Sequence, residues 1–299
     1  MPKCVMTYLT ILSVAMSLVA SAAGAADYEF ETLVIPGVAP VAQNINNQGQ
    51  IVGGYTDASG ASRGFLIDDG VFTPIAFPGA DRTVANSINE ENTIVGRFIV
   101  DDETHGWILK NGHFTQIDFP GADHSWAFDI NNRGDIVGNW CEDDEIPLCQ
   151  FNLNDEVLHG WLMNNDGFAS IDFPEAAHTF GLGINEHGEV VGQYYDIDLV
   201  GFGYKRDADG VYHTIDVPGA IESEAHRINT RGDVAGLYFT PEGGIHGYLM
   251  DMDGGLVTID FPDAAHTAVL GMNDHGDVVG IYFDADFNNQ SAFIGNRVE

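Results

Sequence analysis

From residue 30 onward the apolar positions fall in short β-prone runs, each ended by a cluster of Gly, Asn and Asp. One stretch shows the pattern clearly. The runs Thr179–Ile184, Glu189–Tyr195, Gly201–Lys205 and Val211–Val217 follow one another, with Asn185-Glu186-His187-Gly188 and Asp207-Ala208-Asp209-Gly210 among the breaks. Runs this short, bounded by residues that adopt positive φ at low steric cost, predict strands joined by tight turns. No later stretch sustains a 3.6-residue apolar period, so few helices are expected.

The strand pattern repeats. The phrase Phe114-Thr115-Gln116-Ile117-Asp118-Phe119-Pro120-Gly121-Ala122, followed by Asp129-Ile130-Asn131-Asn132-Arg133-Gly134-Asp135-Ile136-Val137-Gly138, recurs along the chain. Its asparagine stands at Asn46, Asn89, Asn131, Asn185, Asn229 and Asn273, with spacings of 43, 42, 54, 44 and 44 residues. Four strands in about forty residues describe a propeller blade. The termini point to closure. Phe30–Ile35 before Pro36 matches the fourth strand of a unit, Phe72–Phe77 before Pro78, whereas the chain finishes on a third strand near Ser291–Val298. The expected fold is all-β, a six-bladed β-propeller over residues 27–299, closed by an N-terminal strand that completes the last blade and removes its open edge.

The units resemble a family of extracellular repeats named for a His-Ala-Phe (HAF) step. That step reads His105-Gly106-Trp107, His159-Gly160-Trp161 and His246-Gly247-Tyr248, and in weaker form Arg63-Gly64-Phe65, Val200-Gly201-Phe202 and Ser291-Ala292-Phe293. Gly replaces the family's Ala in five of the six. The phrase Ile45-Asn46-Asn47-Gln48-Gly49-Gln50-Ile51-Val52-Gly53 matches the family more closely. The resemblance implies export and a propeller, and no defined reaction.

The first 26 residues read as a secretory signal: Lys3, an apolar run Leu9–Ala20, then small residues ending at Ala25-Ala26. A periplasmic or extracellular location follows, with no membrane-spanning segment in the mature chain. Removing the signal takes away Cys4 and leaves Cys141 and Cys149, a close pair that suggests a disulfide in an exported protein. It also removes Lys3, so ten basic residues stand against 45 acidic ones, a net charge of −35. Such a surface repels nucleic acid and anionic lipid and favours cations, basic proteins or neutral glycans; solubility in salt explains it equally.

Candidate chemistry gathers at the loops between blades. Seven residues before each anchor asparagine the chain reads Ala39, Arg82, His124, His178, Glu222 and His266. Pseudo-symmetry brings these positions to one rim of the channel. His124, His178, His266 and Glu222 are suitable ligands for a zinc-like divalent metal, or for acid–base work with Arg82 holding a carboxylate. The step histidines His105, His159 and His246 recur inside a strand, where a structural role is the simpler reading, as it is for Asp118, Asp172, Asp216 and Asp260. Acidic loops such as Asp101-Asp102-Glu103, Glu142-Asp143-Asp144-Glu145, Asp196 with Asp198, and Asp284 with Asp286 suggest calcium, although Asp207–Gly210 and Asp251–Gly254 lack the full twelve-residue calcium pattern. The third unit carries an insertion, Cys141–Val157, beside Trp126 and Trp140, which suit sugar stacking if exposed and otherwise pack between blades.

Gly60-Ala61-Ser62-Arg63-Gly64 spells Gly-x-Ser-x-Gly but lies in an all-strand pattern with no helix to follow it, and no His-Glu-x-x-His or phosphate loop is present. The sequence therefore points first to a binding or interaction module for a glycan, protein, small molecule or cation at the channel mouth. The alternatives are a hydrolase or lyase using the His/Glu/Arg ring, and a structural surface or matrix protein. The fold itself does not choose among them.

Overall fold

The computed structural model describes residues 15–19, 28–141, 157–287 and 289–298. Blade 1 consists of Pro40–Ile45, Ile51–Thr56, Ser62–Asp68 and Val71–Ile75, from the axis outward. Blade 2 is Arg82–Ile88, Ile94–Val100, Glu103–Lys110 and His113–Ile117; blade 3 is His124–Ile130, Ile136–Cys141, His159–Asn164 and Gly167–Ser170. Blade 4 is His178–Ile184, Val190–Tyr195, Gly201–Arg206 and Tyr212–Ile215; blade 5 is Glu222–Ile228, Val234–Phe239, Ile245–Met250 and Leu256–Ile259. Every pairing within a blade is antiparallel.

Blade 6 closes the ring as expected. His266–Met272, Val278–Phe283 and Gln290–Arg297 come from the C-terminus, and Tyr28–Val34 supplies the outer strand, with Tyr28 opposite Arg297 and Leu33 opposite Ala292. The inner strand of blade 6 packs beside that of blade 1, so the circle is complete. A further short strand, Ala15–Val19, pairs with the outside of Tyr28–Val34. It lies within the expected signal segment, the rest of which falls outside the described residues. No helix among the described residues is long and apolar enough to cross a membrane.

The repeated phrase has a packing cause. The aromatic two places after each step's first residue is fully buried: Phe65, Trp107, Trp161, Tyr204, Tyr248 and Phe293. Its ring lies over the glycine of the Ile-Val-Gly phrase on the second strand. A Cβ added at Gly96 would stand 2.8 Å from the Trp107 ring and 2.0 Å from the Val84 carbonyl; at Gly138 it would stand 2.5 Å from the Trp161 ring. Only glycine admits that approach. This register also corrects one assignment. In blade 4 the step is Phe202-Gly203-Tyr204, because Tyr204 is the residue opposite Gly192 and Phe202 is opposite Tyr194. Val200-Gly201-Phe202 matches the letters and sits two residues out of register.

The anchor asparagines hold their own turns and link blades. In each, Oδ1 accepts backbone N–H bonds from two and four residues ahead, as Asn131 does from Arg133 and Asp135 at 3.0 Å each. The Nδ2 group of Asn46, Asn89, Asn131 and Asn185 donates to the backbone carbonyl of the next anchor, at 3.3, 3.0, 3.0 and 3.2 Å. Asn273 donates to the Asn46 carbonyl at 3.3 Å, across the point of closure.

Candidate functional site

Each inner strand runs from a face bearing the inter-blade loops to a face bearing the anchor turns. Arg82, His124, His178, Glu222 and His266 each open an inner strand at the loop face, and Ala39 stands just before Pro40. Arg82 and Ala39 are exposed, whereas the histidines are 4, 4 and 8% exposed. Each histidine is engaged by the preceding blade: the Nδ1 atoms of His124, His178 and His266 accept the backbone N–H groups of Thr104, Leu158 and Ile245, at 3.1, 3.3 and 3.3 Å. The three thus sit in three separate seams. Among the described residues no group of three or more His, Cys, Asp or Glu comes together as a metal site.

Glu222 does gain partners at the seam of blades 4 and 5. Glu224 follows it on the inner strand, and its Oε2 lies 2.8 Å from His226 Nε2. Burial, then the Glu224 charge, raises the Glu222 pKa above the usual carboxylate range. Burial also pushes the neighbouring Tyr195 phenol up to about 12, with Glu224 and Glu222 adding to the effect. An acid whose folded pKa is raised stabilises the fold below its unfolded pKa, and that contribution is lost as pH rises through the folded value. Glu222→Gln is therefore expected to melt above the wild type near pH 7.5, with the gap closing towards about pH 4. Melting curves across that range check it; an equal gap at both ends would show that the charge is not the cause.

The axis holds what the sequence did not reveal. Every inner strand carries a β-bulge, at Gln43, Asn86, Phe128, Leu182, His226 and Leu270. Four bulge carbonyls meet the guanidinium of Arg227, which is 2% exposed: Nη1 donates to Leu182 and His226 at 2.7 Å each, and Nη2 to Asn86 at 3.0 Å and Gln43 at 3.3 Å. Burial depresses the guanidinium pKa and the Asp129 charge opposes that shift. Asp129 is held in turn by the Ser87 hydroxyl and the Ile184 N–H, and Asn44 donates to Ser87 at 2.8 Å. Arg227, Asp129, Ser87 and Asn44 each lie two before an anchor, where the chain reads Asn44, Ser87, Asp129, Gly183, Arg227 and Gly271. The sequence signal was variation at one place in an otherwise regular phrase. Arg227 spans the channel, and the turn-face mouth beyond it is a small polar cup of about 70 Å³.

Other expectations need revision. Trp126 is buried, and Trp140 lies between Phe119 and His159, stacked on both faces at 4.5 Å. Neither ring presents a free face to a sugar. The step histidines are structural partners of the outer-strand aspartates: Nδ1 of His105, His159 and His246 lies 3.1, 3.1 and 2.9 Å from Asp118, Asp172 and Asp260. Asp196 and Asp251 close their own turns by accepting backbone N–H bonds two and four residues ahead. Cys141 ends a strand and is fully buried; its expected partner Cys149, and the Glu142–Glu145 run, lie outside the described residues.

Two clefts open between blades on the loop face. That between blades 5 and 6, about 510 Å³, is lined by Thr240, Glu242, His246, His266 and Phe287. That between blades 3 and 4, about 350 Å³, includes His159, Asp172, Glu175 and His178. Phe287 is 50% exposed, one face of its ring stacked on His266 at 4.1 Å. Neither cleft was anticipated, because each is assembled from segments of two blades.

No family model and no curated protein matches this sequence. Solved structures do match. A gluconolactonase from Xanthomonas campestris is 12% identical with a TM-score of 0.52, the match covering 95% of each chain. The SapL1 lectin, solved in complex with α-methyl fucoside, is 10% identical with a TM-score of 0.52, over 88% of this chain and 95% of the lectin. TolB from Acinetobacter baumannii is 9% identical with a TM-score of 0.51, over 96 and 81%. The likeness is one of fold.

Proposed function

We propose that the protein is an exported, HAF-type propeller that binds neutral glycans in the loop-face clefts between blades. The cleft of blades 5 and 6 carries this reading: an aromatic ring half open to solvent stands beside a hydroxyl, a carboxylate and two imidazoles. A sugar offers the complementary surface, an apolar C–H face for the ring and hydroxyls for the polar groups. The surface charge supports a neutral ligand, and a lectin is among the proteins of similar fold. The test is retention of the mature protein on an array of neutral glycans, with Phe287→Ala alongside. The variant is expected to bind at least about tenfold more weakly, the scale of one lost aromatic contact, and to melt only about 4 °C lower at most because half of the ring is already exposed. Absence of binding to any glycan would remove the proposal.

A hydrolase or lyase is the second reading, favoured by Glu222 and Glu224 on one strand beside Tyr195, with the Glu222 pKa raised. Turnover of a polysaccharide, abolished by Glu222→Gln and kept by Phe287→Ala, would replace binding with catalysis.

A further inference from the structure

Histidines occur in pairs across the seams. Where a third strand begins its step with His105, His159 or His246, the next blade opens with His124, His178 or His266. Where the step begins with Arg63, Phe202 or Ser291, the next blade opens with Arg82, Glu222 or Ala39. A position needing only a polar side chain has no cause to follow its neighbour in this way.

The hydrogen bonds at the seam of blades 5 and 6 distinguish the two rings. His266 accepts the Ile245 N–H at Nδ1, so its neutral ring carries the proton on Nε2 and is a donor there. His246 has Nδ1 against the Asp260 carboxylate, which places its proton on Nδ1 and leaves Nε2 an acceptor. His266 is 8% exposed, and among the described residues its Nε2 has no hydrogen-bond partner while the ring lines the cleft. His246 Nε2 reaches the same cleft over Gly244, where an added Cβ would stand 2.8 Å from it. A pair of rings fixed as one donor and one acceptor does not suit a metal, which requires a lone pair from both.

Resting on the glycan reading, we infer that this seam is a clamp for a vicinal diol. One sugar hydroxyl accepts from His266 Nε2–H and its neighbour donates to His246 Nε2. The seam of blades 3 and 4 repeats two of the contacts, His159 with Asp172 and His178 with the Leu158 N–H, but the clamp is assigned to the seam of blades 5 and 6 alone. At blades 2 and 3 the pattern is altered, because Glu103 lies 3.5 Å from His105 Nε2.

The test is calorimetric titration with the methyl glycosides of fucose, galactose and mannose, together with ¹⁵N shifts of the imidazoles. One site per chain is expected, with Nε2–H on His266 and Nδ1–H on His246. His246→Ala and the milder Gly244→Ala, which sets a methyl against Nε2, should each remove it or weaken it at least about tenfold, the scale of an unpaired polar group in a site. His159→Ala should leave it in place. Opposite tautomers, or glycoside binding indifferent to His246→Ala and Gly244→Ala, would overturn the clamp and leave glycan binding intact. Failure of all three glycosides would also overturn it, whereas failure of the whole glycan array would remove both readings.

Discussion

Arg227→Met is expected to lower the unfolding free energy by about 3–5 kcal/mol, the cost of stripping one member from a buried charged network. The four bulge carbonyls that the guanidinium satisfies come from blades 1, 2, 4 and 5, so a single side chain ties together most of the ring. Methionine fills part of the volume and donates nothing. The carbonyls would stay dry and unpaired, and Asp129 would lose the buried cation near it. Chemical denaturation reads the loss directly. Adding Asp129→Asn should return part of it, because the stranded carboxylate is then neutral and still able to accept from Ile184. A loss below about 1 kcal/mol would mean that water enters the axis and takes over the carbonyls.

Truncation should show an even larger effect. A chain of residues 36–299 lacks the strand Tyr28–Val34 and is expected not to fold cooperatively. The missing segment contributes Tyr28, Phe30, Leu33 and Ile35, each 5% exposed or less. At roughly 1.5–3 kcal/mol for each buried large side chain, their loss matches the whole stability of an ordinary domain. It also uncovers the edge of Gln290–Arg297, a template for aggregation. A chain of residues 27–299 keeps the closing strand and should melt within about 4 °C of the full-length protein, equivalent to about 1 kcal/mol at this size. A larger fall would assign Ala15–Val19 to blade 6 instead of to a signal that is cut away. Circular dichroism melts and size-exclusion profiles of the two chains separate these outcomes.

The sites show why some features are legible and others are not. His124, His178, His266, Glu222 and Arg82 each open an inner strand, because each stands at a fixed offset from an anchor asparagine. What each rim residue touches depends on the blade before it. Three imidazoles available to a metal on paper are each bonded to a backbone N–H about 20 residues earlier. Trp140 illustrates the same limit: its composition suggested a sugar platform, and its neighbours in the stack close both faces. Phe287 is the reverse, an unremarked residue in an acidic turn that the fold leaves half exposed over a histidine.

The sequence by itself determined the strands, the blade count, the closing strand and the turn-holding asparagines, since all of these follow from local pattern repeated along the chain. Short-range physics acts within one unit, and each unit repeats it. The tertiary structure alone decided the Arg227 plug, the donor and acceptor roles of the paired histidines and the clefts between blades. Those depend on partners 14 to 184 residues apart that meet only when six twisted sheets are bent into a circle. The bulges that turn carbonyls toward the axis are as much a product of that closure as of any residue.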